Sequence, residues 1–157
     1  MINTILVLCL GNICRSPMAE GLFKQALPEK KIFSAGITAM VGHPADPFTI
    51  EILQQRGIDI SEHRGQGLVS WMVSQADLIM TMDIAQKQYV EQKYPSAKGK
   101  VFRLGEYANS DIADPYRKDK AAFEQSYTLI NAGVEEWVKR LHKIEQPVRP
   151  VKKAAHE

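Results

Sequence analysis

The sequence predicts an α/β fold in which helices cover both faces of a parallel sheet. Short apolar runs typical of buried strands alternate along the chain with stretches that have the 3.6-residue periodicity of amphipathic helices. The 157 residues contain no internal repeat and no linker, so they fit a single domain. Because ligands of such sheets bind beyond the carboxyl ends of the strands, we expect a functional site at that edge.

The chain opens with a strand, a tight loop and a helix. Residues 4–8 form a continuous apolar run that predicts a strand buried on both faces. Pro17 suits the first turn of the following helix, where no amide donor is needed. This arrangement directs backbone N–H groups and the positive end of a helix dipole toward an anion. We therefore interpret the connecting loop as a phosphate-binding loop.

The loop contains the residue types that phosphoryl transfer through a thiol requires. Cys9 stands at its start, and a helix N-terminus together with a nearby guanidinium favours the nucleophilic thiolate. Arg15 can hold two phosphoryl oxygens at once with its planar guanidinium. Gly11 leaves the loop free of a side chain and permits unusual backbone angles, and Asn12 tolerates the left-handed region. Ser16 can offer its hydroxyl to the Cys9 sulfur and so make it a better leaving group.

The next elements continue the alternation. Residues 18–27 predict a helix, 31–37 a second strand, 38–47 a loop, and 47–56 a helix that Gly57 ends. The predicted core-facing side chains of the first of these helices are Met18, Leu22, Phe23, Ala26 and Leu27.

A third strand follows in the middle of the chain. Residues 68–75 predict a helix with Trp71 and Met72 in the core, and residues 77–81 predict the strand. Asp83 fits the N-cap of a helix that runs to about residue 93.

The last elements are a short strand over residues 100–104 and a long amphipathic helix over 118–145. The predicted buried stripe of this helix consists of Phe123, Tyr127, Ile130, Val134, Trp137, Val138 and Leu141. Prolines then end the helix, so we expect a domain over residues 1–145 and a basic, mobile tail over 146–157.

A loop rich in turn-forming residues ends in Asp114, Pro115 and Tyr116. In phosphoryl transfer, an oxygen leaving group that is a poor anion departs more readily when a carboxylic acid protonates it. Asp114 is the candidate for this acid and for the base that later activates water, and Tyr116 could line a slot for a flat ring. The alternative is that Asp-Pro merely starts a turn. Asp111 and Asp119 are nearby candidates for the same role.

Composition and charge exclude several classes of function. Hydrophobic residues make up 45% and charged residues 24% of the chain, as in ordinary globular proteins. The whole net charge of +2 lies in the tail, so the balanced body does not suggest nucleic-acid binding. The apolar run at the start is too short to span a membrane and no positive segment precedes it, which predicts a cytoplasmic protein with no membrane contact.

The two cysteines, Cys9 and Cys14, both lie in the loop. Such close neighbours cannot form a disulfide framework between distant segments, and two thiols alone fall short of a closed zinc site. We therefore predict no metal and no cofactor. Cys14 is either a small buried filler or a resolving thiol that captures oxidised Cys9 as a reversible disulfide.

The stretch from Cys9 to Pro17 resembles the signature of the low-molecular-weight protein tyrosine phosphatases. The loop residues of this signature are Leu10, Gly11, Asn12, Ile13, Cys14, Arg15 and Ser16. The resemblance extends through Ser34-Ala35-Gly36, His63-Arg64, Met82-Asp83 and Asp114-Pro115-Tyr116, and covers roughly residues 3 to 145.

The resemblance implies a Rossmann-like fold of three layers, with four parallel strands in the order 2-1-3-4. It also implies hydrolysis of phosphotyrosine through a cysteinyl-phosphate intermediate, with inorganic phosphate as product. By the same resemblance, Ser34 and His63 support the phosphate-binding loop through hydrogen bonds with Asn12. Met40 and His43 belong to a wall of the substrate cleft, and a cysteine at the position of Cys14 favours the redox role.

Among members of the family, the chain is most similar to bacterial phosphatases that are paired with tyrosine autokinases in capsule and exopolysaccharide export. The expected partner is therefore a phosphotyrosine protein, with such a kinase as the candidate, and the expected state is a monomer.

Three other functions fit the sequence less well. Arsenate reduction on the same fold needs further cysteines to pass a disulfide outward, and the chain has only two. A phosphotyrosine-binding module without turnover would be expected to lack the nucleophile or the acid. A protein-arginine phosphatase is disfavoured by Ile13, since the arginine-directed enzymes of this fold have a threonine there.

Overall fold

The structure is a computed structural model that describes residues 1–145. Four parallel strands form one sheet in the order β2-β1-β3-β4, which confirms the predicted topology. The strands are β1 (Thr4–Cys9), β2 (Lys31–Gly36), β3 (Leu78–Thr81) and β4 (Val101–Arg103). The predicted tail at 146–157 lies outside the described residues.

Five helices cover the sheet. They are α1 (Arg15–Ala26), α2 (Pro47–Gln54), α3 (Ser70–Gln75), α4 (Ile84–Lys93) and α5 (Lys120–Glu145). Two short 3₁₀ turns, Pro95–Ala97 and Glu106–Ala108, flank β4. The predicted caps are present: the Asp83 carboxylate accepts the Gln86 amide of α4 at 2.8 Å, and Gly57 ends α2 with φ +76°.

Alternate residues of β1 face two separate hydrophobic cores. Ile5 and Val7 pack with α1, α2 and α5, whereas Leu6 and Leu8 pack with α3 and α4. All four side chains are fully buried, as the continuous apolar run predicts for a central strand. The sheet is therefore the middle of three layers, and the loop that follows β1 emerges at its carboxyl edge.

Several sequence predictions about the helices were wrong. Trp71 is 53% exposed because its ring stacks flat on Phe33 at the edge of the sheet, with centroids 6.2 Å apart, instead of entering the core. Ala26 is exposed because it lines an open groove between α1 and α5, whereas the next residue, Leu27, is fully buried. The prediction for Pro17, by contrast, is confirmed: helix α1 begins at Arg15, so both Arg15 and Pro17 lie in its first turn.

Within residues 1–145, no helix has both the length and the apolar character that crossing a membrane requires.

Candidate active site

The predicted phosphate-binding loop connects the end of β1 to the start of α1. Cys9 is the last residue of the strand and Arg15 the first of the helix, so both ends of the loop are fixed by regular structure. Asn12 lies in the left-handed region with φ 60°, as its residue type allows. Gly11 does not use the backbone freedom that the sequence predicted for it: its φ is not positive, and an added Cβ would come no closer than 3.7 Å to Met40.

Five consecutive carbonyls of the loop accept hydrogen bonds from other segments. The carbonyls of residues 10 to 14 accept, in order, from Thr38 N (2.9 Å), Met40 N (3.0 Å), His63 Nε2 (2.7 Å), Asp46 N (2.8 Å) and Thr49 Oγ1 (3.4 Å). The carbonyls are therefore turned outward and satisfied, which leaves the loop amides available on the inner side. An inward-facing set of amides is the geometry of an anion-binding nest.

The sulfur of Cys9 receives two polar contacts from this loop. The Asn12 backbone amide donates to Sγ at 3.3 Å, and the Ser16 hydroxyl lies 2.9 Å from the same atom. Cys9 and Ser16 are buried, so these contacts are not exchanged freely with water. Hydrogen bonds from both groups would stabilise a thiolate at this position.

The direction of the Ser16 hydrogen bond follows from its neighbours. The backbone amide of Gln66 donates to Asn12 Oδ1 at 3.0 Å. This contact orients the Asn12 side chain so that its nitrogen faces Ser16 and Ser34. Asn12 Nδ2 then donates to Ser16 Oγ at 2.7 Å and to Ser34 Oγ at 2.9 Å. Because Ser16 Oγ accepts from Asn12, its own hydrogen is available to donate to a Cys9 thiolate 2.9 Å away.

Glu20 completes this network and was not among the site residues predicted from the sequence. The Ser34 hydroxyl donates to the Glu20 carboxylate, which also pairs with Lys24 at 2.7 Å. Because the Ser34 hydroxyl hydrogen is donated to Glu20, the Ser34 oxygen is the acceptor for the side-chain nitrogen of Asn12. Glu20 follows Ser16 by four residues on α1, and this helical spacing could have identified it. No spacing or motif in the sequence indicates Gln66 as a site residue, because only tertiary packing brings it to Asn12.

Arg15 is buried beside the loop and is held on one side. Its Nη1 donates to the Ile112 carbonyl at 2.7 Å, and its Nη2 lies 3.6 Å from Asp114 Oδ2. Asp83 Oδ2 lies 3.9 Å from Nη1. The buried Nε has no hydrogen-bond partner within residues 1–145. This edge of the guanidinium therefore retains a donor that an incoming anion could engage.

A pocket of about 180 Å³ opens above Cys9. Its lining contains Cys9, Leu10, Gly11, Ile13, Cys14, Arg15, Thr38, Met40, Asp114 and Tyr116. The structure thus brings Asp114, which is remote in sequence, to the same pocket as Cys9 and Arg15. Arg117 stacks on the ring of Tyr116 with its guanidinium carbon 5.3 Å from the centroid. The Asp114 carboxylate also accepts the Tyr116 amide at 3.1 Å, which fixes the turn that presents both side chains.

Some predicted site residues lie elsewhere. His43 is exposed and does not line the pocket, because the turn that bonds its amide to the Met40 carbonyl at 3.2 Å carries it away. His63, by contrast, lies where expected, because its Nε2 bonds the backbone carbonyl of Asn12 at 2.7 Å. Ser34 lies behind the loop, where it bonds Asn12 as expected. Thr38 also lines the pocket, although no motif or spacing in the sequence indicated it.

Cys14 differs from Cys9 in its surroundings. Burial raises the pKa of the Cys14 thiol far above its ordinary value, and the nearby Asp46 carboxylate raises it further. Burial therefore favours the neutral form of the Cys14 thiol, and Cys9, whose sulfur has two hydrogen-bond contacts, is the better placed nucleophile toward phosphorus. Both cysteines are present as free thiols.

Comparison with known proteins places this site in a family. The family model described as low molecular weight phosphotyrosine protein phosphatase matches residues 4–147. The chain belongs to this family, and it is a protein-tyrosine-phosphatase. A relative from Ralstonia nicotianae, named "Probable low molecular weight protein-tyrosine-phosphatase EpsP", is 55% identical to this phosphatase over 141 residues. The match covers 90% of this chain and 97% of the relative.

Solved structures show the same fold. Wzb from Vibrio vulnificus in complex with benzylphosphonate matches with a TM-score of 0.86 and 39% identity, covering 89% of this phosphatase and 99% of that chain. The YwlE arginine phosphatase from Geobacillus stearothermophilus matches with a TM-score of 0.85 but only 27% identity. That match covers 94% of this phosphatase and 99% of the other chain.

Proposed function

We propose that this phosphatase hydrolyses phosphotyrosine in two steps, with Cys9 as nucleophile, Arg15 as the phosphate-binding cation and Asp114 as general acid and base. The observation that supports these roles is that one pocket is lined by the thiol, the guanidinium and the carboxylate together. The outward-turned carbonyls of residues 10 to 14 support a cradle of amides around the same pocket.

In the first step the Cys9 thiolate attacks phosphorus. The Sγ–P bond forms as the bond between phosphorus and the tyrosine oxygen breaks, and Asp114 gives its proton to the departing phenolate. Loop amides and Arg15 hold the three equatorial oxygens, where negative charge must be stabilised. The free Nε of Arg15 supplies one of these donors.

In the second step Asp114, now ionised, takes a proton from a water molecule whose oxygen attacks phosphorus. The Sγ–P bond breaks and the sulfur leaves as a thiolate, which accepts the Ser16 hydrogen bond at 2.9 Å. Inorganic phosphate departs, and the proton on Asp114 restores the starting state. The hydrogen-bond network behind Ser16 thereby acts on the leaving group of this step.

The pocket walls favour an aromatic substrate. Leu10, Ile13, Met40 and Tyr116 provide apolar surface around a polar floor, which suits a flat ring attached to a phosphate. Ile13 in particular offers no polar atom to a guanidinium group. Ile13, the residue that argues against a phosphoarginine substrate, therefore lies in the pocket wall that the substrate would touch.

The proposed physiological partner is a bacterial tyrosine autokinase involved in exopolysaccharide or capsule production, encountered in the cytoplasm by a monomeric phosphatase. The similarity to bacterial members paired with such kinases supports this proposal, as does the relation to EpsP. Co-purification of the Cys9→Ser variant with the phosphorylated kinase tests it. The unphosphorylated kinase is the control, and equal capture of the two forms would contradict the proposal.

Acid-quench trapping tests the proposed chemistry directly. A ³²P-labelled phosphotyrosine peptide is expected to leave label on the wild-type protein, with the labelled fragment containing Cys9, whereas a phosphoserine peptide leaves none. The Cys9→Ser variant should lose turnover and cysteine-linked label, and the matched Cys14→Ser variant should retain both. Label that persists at a residue other than Cys9 would overturn the assignment.

A further inference from the structure

A second groove begins where the catalytic pocket ends. It encloses about 590 Å³ between the start of α4 and the segment of residues 111–114, and we refer to it as the α4 groove. Leu10, Arg15 and Asp114 line both the pocket and the α4 groove, so the two are continuous. A polypeptide with its phosphotyrosine in the pocket would place neighbouring side chains over this groove, since extended residues advance by about 3.3–3.6 Å each.

The α4 groove gathers exposed hydrophobic side chains. Leu10, Ile84 and Tyr89 are 46%, 43% and 39% exposed, and all three line it, together with Ile37 and Ala85. Clustered apolar side chains at a surface typically mark a contact site, whereas scattered ones need no explanation. None of these side chains except Leu10 lines the catalytic pocket, so the chemistry does not account for them.

The apolar rim is held rigidly. The Ile84 amide donates to Asp111 Oδ1 at 3.1 Å, and Asp111 is held in turn by Arg103 at 3.1 Å. The Asp83 cap on Gln86 fixes the first turn of α4. A rigid surface loses little conformational entropy when a ligand binds, which favours affinity.

The charges of the α4 groove argue against a basic ligand. Asp111 is paired with Arg103, and Asp83 is occupied as a helix cap and lies 3.9 Å from the Arg15 guanidinium. Asp114 lies 3.6 Å from the same guanidinium. A lysine or arginine side chain would therefore compete with cations already in place, whereas an apolar side chain needs no free charge.

We propose that the α4 groove is a specificity subsite that binds an apolar side chain next to the phosphotyrosine of a protein substrate. This inference rests on the proposed function, because it requires the phosphate to occupy the pocket above Cys9. The subsite acts on recognition of the substrate chain and leaves the chemical steps unchanged.

The test compares kcat/KM for free phosphotyrosine and four phosphotyrosine peptides. One peptide has serines on both sides, two have leucines on the amino or the carboxyl side, and one has lysines on both sides. The wild type is expected to prefer one leucine peptide over the serine peptide by about tenfold, the scale of one apolar side chain in a hydrophobic pocket. Equal rates on the serine and both leucine peptides, or a preference for lysine, would overturn the proposal.

The variant Ile84→Ser/Tyr89→Ser should remove the leucine preference while its kcat/KM for free phosphotyrosine stays within about twofold. Unchanged turnover of free phosphotyrosine also shows that the variant is folded. Leu129→Ser is the matched control, because Leu129 is 40% exposed on α5 and should leave the preference intact. If the double variant keeps the leucine preference, the subsite proposal is wrong but the proposed function still stands. If the wild type cannot hydrolyse free phosphotyrosine, the proposed function itself is wrong.

Discussion

Asp114 is the residue on which the proposed chemistry depends most directly. Its carboxylate is partly exposed, lies 3.6 Å from Arg15 and accepts the Tyr116 amide, so it is positioned at the mouth of the pocket. Of the three aspartates considered from the sequence, it is the one that lines the catalytic pocket. Asp111 is instead bound to Arg103, and Asp119 accepts the Ala122 amide at the start of α5.

Replacing Asp114 by Asn should slow hydrolysis in proportion to the need for leaving-group protonation. We expect kcat on phenyl phosphate to fall by about 10²-fold or more, with a much smaller loss on a nitrophenyl phosphate whose phenolate leaves unaided. Steady-state kinetics on the two esters measure the difference, and Asp111→Asn is the control. Equal losses on both esters would exclude Asp114 as the acid.

Ser16 offers a prediction about the second step. Because its hydroxyl lies 2.9 Å from the Cys9 sulfur and can donate to the departing thiolate, Ser16→Ala should slow breakdown of the cysteinyl-phosphate by about tenfold or more, the scale of a hydrogen bond to a charged group. Rapid-mix kinetics with nitrophenyl phosphate separate a burst of nitrophenol from the later release of phosphate. A breakdown rate that does not change would remove the proposed role.

The redox role of Cys14 is also testable. A peroxide-treated wild type is expected to recover activity with dithiothreitol, because Cys14 would capture oxidised Cys9 as a disulfide before irreversible oxidation. Cys14→Ser should recover much less. Full recovery of the variant would assign Cys14 to packing alone, which its burial already permits.

At the scale of elements, α5 sits unusually close to the chain that leaves β4. A Cβ on Gly133 would lie 2.9 Å from both the Cγ and the carbonyl oxygen of Leu104. Trp137 donates to the same carbonyl at 3.0 Å, so the backbone there cannot easily move. The contact requires glycine at this turn of the helix, although the amphipathic pattern of α5 gives no sign of it.

Gly133→Ala tests this close approach through the sign of its effect. The substitution normally stabilises a helix by about 1 kcal/mol. Here we expect it to lower the free energy of unfolding by about 1–3 kcal/mol, because the added methyl group overpacks the interface. Urea unfolding followed by circular dichroism gives the value. A variant with a higher free energy of unfolding than the wild type would contradict this prediction, because it would show that α5 can move away from the chain after β4 without loss of stability.

At the scale of the whole molecule, Glu145 at the end of α5 forms an ion pair with the residue that precedes β2 and a hydrogen bond with the beginning of the chain. Lys30 Nζ lies 2.8 Å from Glu145 Oε2, and Glu145 Oε1 accepts the Ile2 amide at 3.2 Å. The Lys30 side chain is only 3% exposed, so removal of its partner would leave a buried charge unpaired. The hydrogen bond from Lys30 holds the pKa of the Glu145 carboxyl below its ordinary value of 4.5.

This pair should make stability depend on acidity. Because the folded state lowers the pKa of Glu145, its contribution is fully present above pH 4.5 and is lost as the pH falls through the folded value. At pH 7, Glu145→Gln should lower the free energy of unfolding by about 1–3 kcal/mol. The gap to the wild type should shrink toward pH 3. Glu136→Gln, which breaks an exposed pair with Arg140, should change stability by less than about 0.5 kcal/mol. A gap that is equal at pH 7 and pH 3 would contradict the linkage.

The sequence by itself determined the order of the elements, the parallel sheet, and the strand–loop–helix that contains Cys9 and Arg15. These features follow from local periodicity, from capping residues such as Asp83, and from spacing within one short loop. Asp114 could also be proposed from the sequence, because the reaction needs a general acid and because Asp114-Pro115-Tyr116 resembles a motif of the family.

Only the tertiary structure decided the contacts between distant segments. It turned five loop carbonyls toward residues 38–63, brought Gln66 to Asn12 and moved His43 and Trp71 outward. The physical reason is that a hydrogen bond or a packing contact depends on where two segments meet in space. Periodicity reports which face of an element is buried, but it does not report which partner that face will touch.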